Sequence, residues 1–160
     1  MENFETGVNS SEENENGERP KKPSAWLIDD SQETANLLFA MVKSTSNDNY
    51  QLTHFQNAES AIEKFKELCA NKDLDLPRLI LMDGNLDVDV PEPKIKTGVK
   101  AIIRLKEIAD EYQVELPEII AFSNSSQLNT EMIEKGATRA VNKGIYSDLK
   151  KFVSEIVEAK

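Results

Sequence analysis

From residue 24 onward, apolar residues fall into two kinds of run that take turns along the chain. The first kind is short and continuous: Ala25–Ile28, Leu79–Met82 and Ile119–Phe122, the last two introduced by Pro77 and Pro117. Such runs suit strands buried on both faces. Tyr50–Phe55 alternates weakly and Thr138–Asn142 is short; both read as further strands. The second kind repeats at helical spacing. Leu37, Leu38, Met41 and Val42 share one side of a helix running to about Ser44, with Ser31 as its N-cap. Asn57 can cap a second helix carrying Ala58, Ala61, Ile62, Phe65, Leu68 and Cys69. Gly98–Tyr112 presents Ile102, Leu105 and Ala109 on one stripe, and Gln127–Lys135 is closed by Gly136. Leu149, Phe152, Val153, Ile156 and Val157 give the last helix an apolar face.

Alternating strands and helices predict an α/β fold: a doubly wound five-stranded parallel sheet with helices on both faces. The order 2-1-3-4-5 would set strands one and three side by side at the switch point, where ligands of such sheets bind. Residues 1–23 differ. They are rich in Glu, Asn, Ser and Gly, with Phe4 and Val8 as the sizeable apolar groups, and predict a disordered acidic tail hinged at Pro20-Lys21-Lys22-Pro23. The domain is then expected over 24–160, with a long polar loop from Gly84 to Thr97.

The 160 residues suit one domain, 39% of them hydrophobic, and no run is long enough to span a membrane. The acidic N-terminus lacks the pattern of a signal peptide, so the cytoplasm is the expected compartment. A single cysteine, Cys69, excludes an intrachain disulfide and a cysteine-built zinc site. The formal charge of -10 argues against nucleic acid as a partner and is compatible with basic protein surfaces or cations.

The strand ends carry the chemistry. The first strand stops at Asp29-Asp30, the third at Asp83, the fourth at Ser123 and the fifth at Lys143. In a parallel sheet these residues share one edge. Three close carboxylates repel unless a divalent cation sits among them, and Mg²⁺ favours such oxygens. A carboxylate nucleophile also needs a phosphoryl donor and charge neutralisation, which Lys143 can give, while Ser123 can donate its hydroxyl. Taken singly, an aspartate here is a helix cap, a serine a turn former and a lysine a solvated surface residue. Four agreeing strand ends favour a phosphoryl-transfer site.

These residues resemble those of a two-component response-regulator receiver domain, of the flavodoxin-like kind found in the bacterial chemotaxis response regulator. The resemblance covers roughly Ser24–Lys160. It matches the family's acidic pair to Asp29-Asp30, its phosphoacceptor to Asp83, its Ser/Thr switch residue to Ser123 and its lysine to Lys143. It also implies that Asn85 gives a metal its backbone carbonyl. The sequence departs from the family at three places. The matching glycine, Gly98, comes fifteen residues after Asp83, which implies an insertion of about seven residues within Leu86–Thr97. Lys143 is followed by Gly144 where the family has proline. The family's aromatic switch position is Ala140.

The resemblance implies a stand-alone response regulator that is not an enzyme toward other molecules. It would accept a phosphoryl group on Asp83 from the phosphohistidine of a histidine kinase or phosphotransfer protein, with Mg²⁺ on Asp29, Asp30, Asp83 and Asn85. Ser123 and Lys143 would bind the phosphoryl group. Output would be protein binding, through the face of helix four, strand five and helix five, or onward relay, with no nucleic acid or membrane as partner. The alternative is a receiver-fold adaptor that works without phosphorylation. A small aspartate-nucleophile phosphatase rests on the same carboxylates but lacks an evident cap domain, and Asp87-Val88-Asp89-Val90 sits in a loop rather than at a strand end. His54 reads as structural or surface, Cys69 and Trp26 as core packing, and Lys94, Lys96 and Lys100 as a solvated loop and helix start.

Overall fold

A computed structural model describes residues 22–72, 75–86 and 95–159. The tail up to Lys21, the Asp87-Val88-Asp89-Val90 segment and Lys94 lie outside the described residues. Five strands, β1 (Ser24–Ile28), β2 (Gln51–Phe55), β3 (Leu79–Asp83), β4 (Glu118–Ser123) and β5 (Arg139–Asn142), alternate with five helices. The helices are α1 (Gln32–Ser46), α2 (Ala58–Ala70), α3 (Gly98–Tyr112), α4 (Ser126–Lys135) and α5 (Tyr146–Ala159). All strands pair in parallel, as the alternation predicts, and their order is the expected β2-β1-β3-β4-β5.

The sheet separates two cores. On one face Trp26, Ile28, Ile80, Met82, Ile119 and Ala121 pack against α2, α3 and Met132 of α4. On the other, Ala25, Leu27, Leu79, Leu81, Ile120, Phe122 and Val141 meet α1 and α5. Every residue of β3 is buried, which is why its sequence is an unbroken apolar run ending in a single acid. Cys69 and Trp26 are core residues, the latter set edge-on to Phe55 at 4.8 Å between centroids.

Side-chain caps fix where helices begin. Ser31 Oγ accepts from Thr34 N at 3.1 Å and Asn57 Oδ1 from Ser60 N at 2.8 Å. Thr97 and Ser125 cap α3 and α4 in the same way. Each satisfies a backbone donor that the first turn leaves without an intrahelical partner. At the other end, Gly136 takes φ 140° after α4, a conformation that costs a side chain dearly.

The segment after β3 is less polar than its composition predicts. Leu86 is fully buried and joins the α2/α3 core, so the loop sends an apolar anchor inward before it leaves the described residues. Its two ends are held together: Leu86 N donates to Lys96 O at 2.8 Å, and Asn85 forms an antiparallel bridge with Thr97. Glu59, at the start of α2, accepts from Ile95 N at 2.6 Å. Residues 85–86 and 96–97 are therefore pinned to one another, as a neck, on either side of the segment outside the described residues.

Gly98 is the tightest point of this neck. A Cβ there would lie 2.4 Å from Asp83 O, 2.7 Å from Met132 Sδ and 2.9 Å from Met82 Cγ. Alanine would gain about 1 kcal/mol of helix propensity but must displace backbone, and overpacking of this kind costs about 1–3 kcal/mol. Gly98→Ala is expected to lower the urea midpoint with an unchanged denaturant slope. A midpoint at or above that of the wild type would contradict the close approach.

Candidate functional site

The register of the sheet brings the acids together. Ile28 pairs with Met82, so the next residues, Asp29 and Asp83, leave adjacent strands at the same level. Asp29 is fully buried and Asp83 is 3% exposed, whereas Asp30 is exposed. One carboxylate oxygen from each of the three lies within 4.8 Å of the others. Lys143 Nζ lies 3.2 Å from Asp83 Oδ2 and 3.4 Å from Asp29 Oδ2. The lysine reaches the acids although glycine follows it; the peptide bonds of the described residues are all trans.

Backbone donors orient the carboxylates. Ser31 N donates to Asp29 Oδ1 at 2.8 Å, and Asn85 N to Asp83 Oδ1 at 3.3 Å. The other oxygen of each faces Lys143. Asp29 Oδ2 has the Lys143 ammonium at 3.4 Å as its charged partner and no well-formed hydrogen bond among the described residues. A buried carboxylate oxygen in that position lacks a partner it would have in water. An oxygen-seeking divalent cation fits this donor set, with Asp29, Asp30 and Asp83 as the groups that could hold it. Asn85 lies on the exposed rim beside them.

Ser123 ends β4 next to this cluster. Its side chain is buried beside the backbone of Gly84, where an added Cβ would stand 2.8 Å from Ser123 Cβ and Oγ. Ser123 Oγ accepts from Ser125 N at 3.0 Å, so it also shapes the turn into α4. Accepting that bond leaves its O–H proton to donate.

Three supporting residues carried no signal in the sequence pattern. His54, read as structural or surface, has Nε2 2.7 Å from Asp29 O; since a carbonyl only accepts, the ring carries its proton on Nε2. Together with Asp29 N donating to Phe55 O at 3.1 Å, this fixes both sides of the Asp29 backbone to β2. Phe122 places its ring 5.4 Å from Lys143 Nζ, within range of a cation–π contact. Asn129 of α4 donates from Nδ2 to Ser123 O and to Val141 O, each at 3.1 Å. A histidine in a strand, a phenylalanine in an apolar run and an asparagine in a helix are ordinary in sequence. Their partners lie on other elements.

The electrostatics follow from burial. Desolvation, and then the charge of Asp29, push the Asp83 carboxyl up from 3.8 to about 6, although Lys143 and the Asn85 N–H pull the other way. Desolvation likewise raises Asp29 against the opposing effect of Ser31 N–H and Lys143. For Lys143 burial disfavours the charged form, but the two carboxylates outweigh it and hold its pKa above the ordinary value. The result is a buried carboxylate of raised pKa, an ammonium beside it, an oxygen set that could hold a cation and a hydroxyl, all at one sheet edge.

No family model matches the sequence, and no curated protein matches it. Solved structures do share its fold. A response regulator receiver protein from Pseudoalteromonas atlantica is similar over 86% of this chain and 98% of its own, at 16% identity and a TM-score of 0.62. The signal receiver domain of a DNA binding response regulator from Colwellia psychrerythraea is similar over 85% and 98%, at 17% identity and a TM-score of 0.61. A two-component response regulator from Aurantimonas is similar over 87% of each chain, at 17% identity and a TM-score of 0.62. The chain therefore has the fold of response-regulator receiver domains, with the five-stranded order 2-1-3-4-5. Among the described residues no helix is long and apolar enough to cross a membrane.

The raised acid makes a stability prediction. In chelator, folded Asp83 holds its proton more tightly than the unfolded chain does. Its contribution is therefore fully present below pH 3.8 and is lost as pH rises through about 6. A shift of this size corresponds to about 3 kcal/mol. Asp83→Asn removes the buried charge and is expected to be the more stable protein at pH 7, with the difference from wild type vanishing near pH 4. Urea midpoints across pH 4–8 measure it, and a mutant less stable than wild type at pH 7 would refute the assignment.

Proposed function

We propose that this chain is a phosphoacceptor receiver of a two-component signalling system, and that Asp83 is the residue phosphorylated. The observation that carries this reading is the pairing of a buried, desolvated Asp83 with the Lys143 ammonium at 3.2 Å, inside a cluster of carboxylates able to hold a cation. An ion pair built for stability alone would not need the second and third acids, which raise the cost of the first.

The donor in this reading is a phosphohistidine on a histidine kinase or phosphotransfer protein. A carboxylate oxygen of Asp83 attacks phosphorus; the P–N bond breaks, its electron pair returns to the imidazole, and an acyl phosphate forms. Mg²⁺ held by Asp29, Asp30 and Asp83, with the Asn85 carbonyl as a further donor, would neutralise charge on the phosphoryl oxygens. The Lys143 ammonium stays beside Asp83 while the negative charge there grows from a carboxylate to a phosphoryl group, so its attraction strengthens as transfer proceeds. Ser123 donates its O–H to another phosphoryl oxygen. Asn85 N, now on Asp83 Oδ1, keeps the carboxylate from rotating away from the line of attack. Water later attacks phosphorus and restores Asp83. Catalysis on other molecules is not part of this reading: the chain promotes its own phosphorylation and dephosphorylation.

Output is by protein–protein contact or onward transfer of the phosphoryl group. The face formed by α4, β5 and α5 is the proposed contact surface. Net charge of -10 suits a partner with a basic surface.

Incubation with acetyl phosphate and Mg²⁺, followed by intact-mass measurement, tests the reading. One added phosphate is expected, labile to hydroxylamine, absent from Asp83→Asn and absent in excess chelator. Mg²⁺ alone should raise the melting temperature of wild type and raise that of Asp83→Asn much less, because a ligand is missing. A chain that gains no phosphate and no Mg²⁺-dependent stability acts as a phosphorylation-independent adaptor on the same fold. Sustained turnover of a small phosphate ester would make it a phosphatase.

A further inference from the structure

Helix α4 is tied to the site by one side chain in an unusual way. Asn129 is 9% exposed, and its amide nitrogen spends both protons on main-chain carbonyls of two different strands, Ser123 O in β4 and Val141 O in β5. Ser123 O also accepts Lys143 N at 3.1 Å. The two residues proposed to grip the phosphoryl group therefore meet at one carbonyl, and Asn129 is the third party to it. The other end of the amide, Oδ1, is buried without a hydrogen bond. An orphaned acceptor of this kind costs stability, and a leucine has the same branched shape without it. One helical turn on, Met132 packs against Gly84 and Gly98, the two residues that flank the Asp83 backbone. Residue 140, in β5, is an alanine packed against the core that holds Met132.

We infer that Asn129 is a positioning residue: it sets the separation of Ser123 from Lys143 and couples the state of Asp83 to helix α4. This rests on the proposed phosphoacceptor role. When Ser123 and Lys143 shift toward a phosphoryl group, the carbonyls of Ser123 and Val141 shift with their strands. A helix anchored to both through one rigid amide must follow or lose a bond. The unpaired Oδ1 means that the arrangement is not at its most stable, so an alternative placement of α4 costs less than it would from a fully satisfied contact.

The test uses the full chain and Asn129→Leu, which keeps the branched shape but removes the amide, with Asn129→Ser as a second variant should the first fail to fold. In the unphosphorylated protein, the amide of Lys143 is expected to exchange with deuterium about fivefold faster in the variant, the factor for losing one hydrogen bond of ordinary net strength. Unchanged exchange there overturns the positioning role whether or not the chain is phosphorylated. With acetyl phosphate and Mg²⁺, the rates of adduct formation and loss on Asp83 are expected to change about fivefold or more. In wild type, the amides of residues 126–135 should change their exchange on phosphorylation; in the variant that response should be lost. A variant that matches wild type in both adduct kinetics and helix response overturns the coupling. Absence of any adduct on wild type refutes the phosphoacceptor reading instead, and the Lys143 exchange arm still decides the positioning role.

Discussion

Two buried carboxylates side by side, with one ammonium between them, are the constraint around which this molecule is arranged. Asp29 and Asp83 sit in a place from which water is largely excluded, and each makes the other harder to ionise. Lys143 compensates one charge, not two. Two backbone N–H groups, from Ser31 and Asn85, take up one oxygen of each acid and leave the other exposed to the ammonium. Burying charges is expensive, and removing the ammonium would leave two acids uncompensated. The site is thus held short of neutrality by design of the fold, and it relaxes by taking up positive charge or a proton.

Only a rigid frame can hold such a cluster. β1 and β3 lie in the middle of the sheet, and their apolar residues are buried on both faces against two separate cores. Slipping the Ile28–Met82 pairing by one residue would turn each side chain to the opposite core and separate the acids. The apolar runs that make these strands recognisable in the sequence are therefore also what fixes the charges at their ends. Helix caps add to the frame at the same edge: Ser31 starts α1 next to Asp29, Thr97 starts α3 above Asp83, and Ser125 starts α4 beyond Ser123.

What could be read from the sequence was whatever is encoded by neighbours along the chain. Periodicity gave the strands and helices, residue for residue at Gly98–Tyr112, and the alternation gave the parallel sheet. Capping at Ser31 and Asn57 was visible because a cap is a local hydrogen bond. The strand-end acids, serine and lysine were visible because a parallel sheet puts like ends together. Contacts between distant segments were not visible. Leu86 looked like part of a polar loop because its neighbours are polar; its burial comes from a core assembled out of α2 and α3. His54 looked structural, and it is, but its partner is the carbonyl of Asp29, twenty-five residues away. Gly98 was matched by resemblance, whereas the physical need for it is the Asp83 carbonyl at 2.4 Å from where its side chain would begin.

The departures at residues 140 and 144 illustrate how a site can be kept while its surroundings change. A proline after Lys143 would have stiffened the turn covalently. Here Asn142 stiffens it by hydrogen bonds: its side chain accepts from Gly144 N at 2.9 Å and its carbonyl from Ile145 N at 2.9 Å. Lys143 N is held on Ser123 O, and the ammonium rests over the ring of Phe122, so the side chain is guided at both ends. That solution preserves reach, and reach is all that charge neutralisation requires. Ala140 is different in kind. A methyl group has no rotamer to change, so nothing at that position can swing between the site and the surface. Main chain ties the ends of β4 and β5 to α4 through the carbonyls of Ser123 and Val141, both held by Asn129.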